Sequence, residues 1–239
     1  MENKLIKEMV IPSGNCEYSG RLGFSGCAYL FIDAAGEHAD KLGIGMRKQA
    51  EQSRFWTVYK TRIDFFGRPG MSEPVTLETW PEKPTMFMGL RDYRLKSGER
   101  TVACGKTQWV VVDTTTGRPV IMKDIFPAGF EYCEEHVIDE PFERFTGEIP
   151  EQVLGKYTVK SIDIDVGHHM NNVAYIRAIE SLFSTRELRM MDLKSFEIHY
   201  QKSCFEGDEI EFRVEEEDKR IKLYALCKNE VIANILLRY

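Results

Sequence analysis

Apolar residues recur at three- and four-residue spacing in two stretches of the chain, and in short continuous or alternating runs elsewhere. The first helical stretch carries Cys27, Leu30, Phe31, Ala34, Ala35, His38 and Leu42, with Gly43 beyond it as a natural stop. The second carries Val173, Ile176, Ile179 and Phe183, and the pattern predicts one helix from Asn172 to near Leu188. Strand-like segments follow each helix. They cover 55–66, 75–80, 86–95 and 101–113 after the first, and 195–201, 209–214, 221–227 and 231–239 after the second. Turn chemistry separates them at Gly67-Arg68-Pro69-Gly70, Ser97-Gly98, Thr116-Gly117, Glu206-Gly207-Asp208 and Lys228-Asn229.

A helix followed by antiparallel strands, occurring twice, predicts an α+β chain made of two copies of one unit, each a sheet wrapped on one long helix. The expected boundaries are 1–140 and 150–239, joined by a stretch rich in proline (Pro127, Pro141, Pro150). Setting Ala28 against Ala174 pairs the two helix starts. Ser19, Gly23 and Gly26 then face Asp165, His169 and Asn172, so the first copy has no acid, base or carboxamide there. One active site per chain, in the second unit, is the expectation; the alternative is that both motifs are structural.

The chemistry concentrates just before the second helix, in Asp163-Ile164-Asp165-Val166-Gly167-His168-His169-Met170-Asn171-Asn172. Asn caps helices well, and unpaired N–H groups with the positive dipole end favour negative charge at a helix start. A thioester carbonyl gains such charge during hydrolysis. His169 is the candidate to hold the carbonyl or shuttle a proton, and Asp165 to activate water or orient His169. Asp163 is the weaker acid and is expected to be exposed; His168 is expected in a structural or pocket-edge role. Of Asn171 and Asn172, one caps the helix and the other orients a reacting group; the order is open. Cys204 is a nucleophile only as a thiolate, and a water mechanism is simpler.

Composition narrows the choices. The chain of 239 residues has a net charge of −6, against general nucleic-acid binding. Residues 41–106 are locally basic, with 13 Lys+Arg against 7 Asp+Glu, and offer a face for an acidic partner or simply solvated strands. No apolar run reaches the length of a membrane span. Residues 1–7 lack the apolar core of a secretory signal, and six scattered cysteines suit a reducing cytoplasm. Neither metal-ligand spacing nor a phosphate-binding loop occurs, so no metal and no cofactor are expected.

Asp165-x-x-x-His169-x-Asn171-Asn172-x-x-Tyr175, followed by Tyr200-x-x-x-Cys204, resembles the acyl-ACP thioesterases of bacteria and plant plastids. So do Ala35-Gly36-x-His38-Ala39, Val75-Thr76-Leu77-x-Thr79-Trp80-Pro81 and Trp109-x-x-x-Asp113-x-x-x-Gly117-Arg118-Pro119. The resemblance spans nearly the whole chain. It implies two tandem hot-dog domains, hydrolysis of fatty acyl-ACP to free fatty acid and holo-ACP, and the acyl carrier protein as partner. It places the family's acid on Asp165, its histidine on His169 and the plant cysteine on Cys204. Gly167 stands where the plant enzymes have Asn, and Ser203 where they have Glu. His168 occupies the Gly position of single hot-dog acyl-CoA thioesterases. Cys27, Leu30, Phe31 and Ala34 of the first helix are expected to shape the acyl pocket. Acyl-CoA hydrolysis and non-catalytic acyl binding are the competing functions, and a homodimer is left open.

Overall fold

A computed structural model describes residues 3–239, and the chain divides into two compact units after Pro141. The first unit runs β1 (Leu5–Val10), α1 (Phe24–Lys41), a short α2 (Met46–Ala50), β2 (Arg54–Phe65), β3 (Pro74–Pro81), β4 (Gly89–Ser97) and β5 (Arg100–Asp113). Its strands lie in the order β1-β3-β4-β5-β2, with every neighbouring pair antiparallel. Helix α1 buries Cys27, Ala28, Leu30, Phe31, Ala34, Ala35 and His38. Phe31 stacks on Tyr93 of β4 with ring centroids 4.8 Å apart. That contact needs Gly105 on β5, since a Cβ there would come within 2.4 Å of the Phe31 ring.

The second unit repeats the plan with β6 (Val153–Thr158), α3 (Asn172–Glu180), α4 (Thr185–Met191), β7 (Ser195–Tyr200), β8 (Glu209–Glu217), β9 (Arg220–Cys227) and β10 (Glu230–Arg238). Its order, β6-β8-β9-β10-β7, matches the first unit strand for strand, again antiparallel throughout. Helix α3 buries Val173, Ala174, Tyr175, Ile176, Ala178 and Ile179. The β9–β10 hairpin turns at Lys228-Asn229, both at positive φ (51° and 65°), the twist that suits a two-residue hairpin.

Three expectations need correction. The helix predicted to near Leu188 stops at Glu180. Ser184 then starts α4, accepting from the Glu187 N–H while the Glu187 carboxylate accepts from the Ser184 N–H, a reciprocal cap that favours a fresh start over continuation. The segment predicted from residue 86 becomes strand only at Gly89, because the Thr85 N–H donates to the Met88 carbonyl (2.9 Å) and closes a turn first. Strands β1 and β6 went unforeseen. Both lie at sheet edges and are mostly solvated, so neither carries a regular apolar alternation.

The connecting stretch has no regular structure beyond Asp124 in the first unit, yet it is tied down. Trp80 Nε1 donates to the Glu135 carbonyl (2.8 Å), Lys106 Nζ donates to the Ile138 carbonyl (2.6 Å), and Arg94 pairs with the Glu135 carboxylate. Among the described residues, no helix is long and apolar enough to cross a membrane.

Candidate active site

The loop entering α3 is a closed hairpin. Asp165 N–H donates to the His169 carbonyl (3.0 Å), His168 N–H to the Asp165 carbonyl (3.0 Å), Asn171 N–H to the Asp163 carbonyl (2.8 Å) and Met170 N–H to the Cys204 carbonyl (2.8 Å). Turning back so tightly puts His168 at φ 62°, a left-handed conformation that favours glycine. The same turn brings the Asp165 and His169 side chains together, Oδ1 to Nδ1 at 3.6 Å, both partly open to solvent. Gly167 fits between them. Its N–H donates to Asp165 Oδ1 (2.7 Å), and an added Cβ would come within 3.0 Å of both Asp165 Oδ1 and the His169 ring.

Asn171 is the cap: its Oδ1 accepts from the Val173 N–H at 2.8 Å. Asn172 is the first helical residue. Its carbonyl accepts from the Tyr200 hydroxyl (3.0 Å), while its own N–H has no acceptor among the described residues. The start of α3, which the Asp165/His169 hairpin enters, thus keeps an N–H without an acceptor among the described residues.

Asp163 is not exposed as expected; only 1% of its side chain is accessible. It accepts from the Tyr157 hydroxyl (2.8 Å) and the Lys160 N–H (2.9 Å), and pairs with Arg177 (3.2 Å). It anchors the loop to β6 and α3. Burial, and then the bond to Asp163, push the Tyr157 hydroxyl up to about 12. Cys204 is fully buried, and burial pushes its thiol up to about 12. A thiolate nucleophile is thereby disfavoured, which leaves Cys204 as packing beneath the loop.

The first unit holds the same hairpin, offset by two residues from the alignment drawn on sequence. Glu17 N–H donates to the Arg21 carbonyl (2.8 Å), Gly20 N–H to the Glu17 carbonyl (2.9 Å), Gly23 N–H to the Asn15 carbonyl (3.2 Å) and Leu22 N–H to the Pro69 carbonyl (2.9 Å). Asp165 therefore corresponds to Glu17, His169 to Arg21, His168 to Gly20 (φ 73°) and the cap Asn171 to Gly23. The first copy does contain an acid, contrary to expectation. Its carboxylate is occupied by Arg68 (3.1 Å) and Ser19 (3.0 Å), and the guanidinium that replaces the histidine cannot serve as a base. The mispairing arose because identical Ala-Tyr dipeptides lie at different depths in the two helices.

Of the four residues expected to line an acyl pocket, Cys27, Phe31 and Ala34 are core, and Leu30 is also buried. The neighbouring face of α1 lines an apolar cavity of about 140 Å³ in the first unit. Ile32, Ala35, Gly36 and Ala39 supply its share of the lining, together with Trp56, Trp109, Met122 and Phe126. Sequence periodicity marks the whole buried arc of a helix and does not separate core from cavity wall.

The basic stretch is largely spent internally. Arg62 pairs with Asp64 (2.9 Å) and Glu140 (3.4 Å), Arg68 with Glu17, Arg94 and Lys96 with Glu78, and Lys106 with Glu82 (3.0 Å). Arg47 and Lys83 are exposed.

Among the described residues, two groups of side chains bring ligand atoms within 4.8 Å of one another, as a cation would require: Glu82, Asp92 and His136, and Cys204, Asp208 and Cys227. In the first, the Lys106 ammonium already supplies the positive charge, 3.0 Å from Glu82 and 3.6 Å from Asp92. In the second, Asp208 pairs with Lys228 (2.8 Å) and accepts from the Phe205 N–H.

Family models match both units: the acyl-ACP thioesterase N-terminal domain over residues 2–130 and the C-terminal domain over residues 148–235. Among curated proteins, the chloroplastic oleoyl-acyl carrier protein thioesterase of Coriandrum sativum is 21% identical over 206 residues, covering 77% of this chain and 55% of its own length. An Arabidopsis thaliana oleoyl-acyl carrier protein thioesterase is 22% identical, with 65% and 46% covered. The chain thus spans about half the length of the curated relatives it matches. Solved structures share the fold over almost the entire chain. An acyl-ACP thioesterase of Bacteroides thetaiotaomicron superposes with a TM-score of 0.89 at 20% identity, covering 99% of this chain and 97% of that one. The 12:0-ACP thioesterase of Umbellularia californica gives 0.78 at 14% identity, with 100% and 97% covered.

Proposed function

The chain belongs to the acyl-ACP thioesterase family, and from that premise we propose that it hydrolyses the thioester of fatty acyl-ACP, releasing free fatty acid and holo-ACP. The observation that carries this reading is the juxtaposition in the hairpin that enters α3: the Asp165 carboxylate beside the His169 imidazole, 3.6 Å apart.

In this reading Asp165 takes a proton from water as the water oxygen attacks the thioester carbonyl. The carbonyl oxygen becomes an oxyanion held by the Asn172 N–H and His169. Collapse of the tetrahedral species breaks the C–S bond, and the thiol of the carrier leaves with a proton. An oriented donor of this kind contributes a factor of about 10² to 10³ to the rate. Gly167 keeps the acid and the ring close, and the Asp163–Arg177 pair holds the loop against the helix. The second unit is the catalytic one. In the first, the corresponding acid is neutralised by Arg68, and the unit contributes the apolar cavity that receives the acyl chain. No step calls for a cofactor.

The carrier's acidic surface is met by exposed cations of the basic stretch, Arg47 and Lys83, rather than by Arg62 and Arg94, which are paired internally. Mixing the protein with acyl-ACP and titrating the released carrier thiol tests the reading. Release from acyl-ACP at a kcat/KM well above that for the matched acyl-CoA is expected. No release from acyl-ACP, or a clear preference for acyl-CoA, would overturn it.

A further inference from the structure

The cavity of the first unit contains a charge that a plain hydrocarbon chain would not need. Among the described residues lining it, Arg91 on β4 alone is charged. Its side chain is buried, and among the described residues no carboxylate pairs with it. Nη1 donates to His38 Nδ1 (3.1 Å) and to Thr79 Oγ1 (3.3 Å). Arginine has no acceptor, so His38 accepts through an unprotonated Nδ1. The remaining N–H bonds, on Nε and Nη2, have no acceptor among the described residues. The indoles that line the cavity are already satisfied: Trp56 donates to the Ile44 carbonyl (2.8 Å) and Trp109 to Thr107 Oγ1 (2.6 Å). The polar demand of the cavity therefore comes from one guanidinium.

A buried guanidinium is costly unless its donors are answered. Two neutral acceptors on one nitrogen hold the group in place and leave the other edge of the fork unanswered. A chain of methylenes in the cavity would offer that edge no acceptor. An oxygen on the chain would accept from it in a charge-assisted bond. We propose that this cavity selects acyl chains bearing an oxygen acceptor, a hydroxyl or oxo group, which Arg91 recognises through Nε and Nη2. The inference rests on the cavity being the acyl pocket.

The test compares dodecanoyl-ACP with hydroxydodecanoyl-ACPs whose hydroxyl is moved along the chain, and with the corresponding oxo chains. At least one positional isomer is expected to exceed plain dodecanoyl by about tenfold or more in kcat/KM, mostly through KM. Arg91→Met should bring the two within about threefold. If no oxygenated isomer is preferred by the unaltered protein, or if the preference survives Arg91→Met, the inference is overturned. The substrate comparison in the unaltered protein stands even if the variant fails to fold. Should no acyl-ACP be cleaved at all, the hydrolytic reading fails separately, and calorimetry of free hydroxydodecanoic against dodecanoic acid decides the Arg91 question. Equal affinity would overturn it, and tighter binding of the hydroxy acid would support it.

Discussion

His168 and Gly167 are neighbours whose backbone and side-chain demands are opposite. His168 carries a full side chain at φ 62°, where the equivalent residue of the first unit is Gly20 at 73°. His168→Gly is predicted to raise stability by about 1 kcal/mol, visible as a higher midpoint in urea, because it relieves a left-handed residue. Gly167 has an ordinary φ but no room, with Asp165 Oδ1 and the His169 ring each 3.0 Å from where a Cβ would sit. Gly167→Ala should lower kcat by about tenfold or more, since sub-ångström misplacement of catalytic groups is expensive, while leaving the urea midpoint nearly unchanged. Equal losses in both would mark the residue as structural only. Sequence showed these residues as one polar cluster at a helix start, and the closeness of Asp165 to His169 and the capping role of an asparagine were legible there. Not legible was the burial of Asp163. Its partners Tyr157 and Arg177 come from β6 and α3, and pattern reading does not bring distant side chains together.

At the scale of elements, helical spacing located α1, and continuous apolar runs located the central strands, which are buried along most of their length. Both failed where burial stops deciding. The edge strands β1 and β6 are mostly exposed, and the break between α3 and α4 depends on a local cap rather than on apolar spacing. Ser184→Ala should therefore cost about 1 kcal/mol, by loss of that cap. The close contact of α1 with β5 predicts a larger effect. Gly105→Ala forces a methyl group against Phe31 and should cost roughly 1–3 kcal/mol by denaturant titration. A neutral result would mean that the helix can slide off the sheet.

Across the whole molecule, one strand order serves twice, and the two hairpins at the helix starts share their backbone bonds while differing in chemistry. The repeat was legible in the sequence; its register was not, because short matching dipeptides outweighed the turn residues that fix it. The buried cluster on the first unit's sheet gives the fold a pH dependence. Burial pushes Asp92 up to about 8, with the neighbouring Glu82 adding to the rise and Lys106 opposing it. Burial also pushes Glu82 up, but Lys106, the bond to Asp92 and the charge of His136 together outweigh it and hold Glu82 low. Asp92 thus binds its proton more tightly in the folded chain than in the unfolded one. Its stabilisation is full below the ordinary carboxylate range and is lost as pH rises through about 8. Asp92→Asn should flatten that decline in a series of thermal melts, and an unchanged slope would assign it to other groups.

The most direct measurement is single-turnover hydrolysis of acyl-ACP by Asp165→Asn and His169→Ala, with the fold of each verified by circular dichroism. The account predicts that each loses about 10² to 10⁴ in rate. Folded variants that cleave within threefold of the unaltered protein would contradict it.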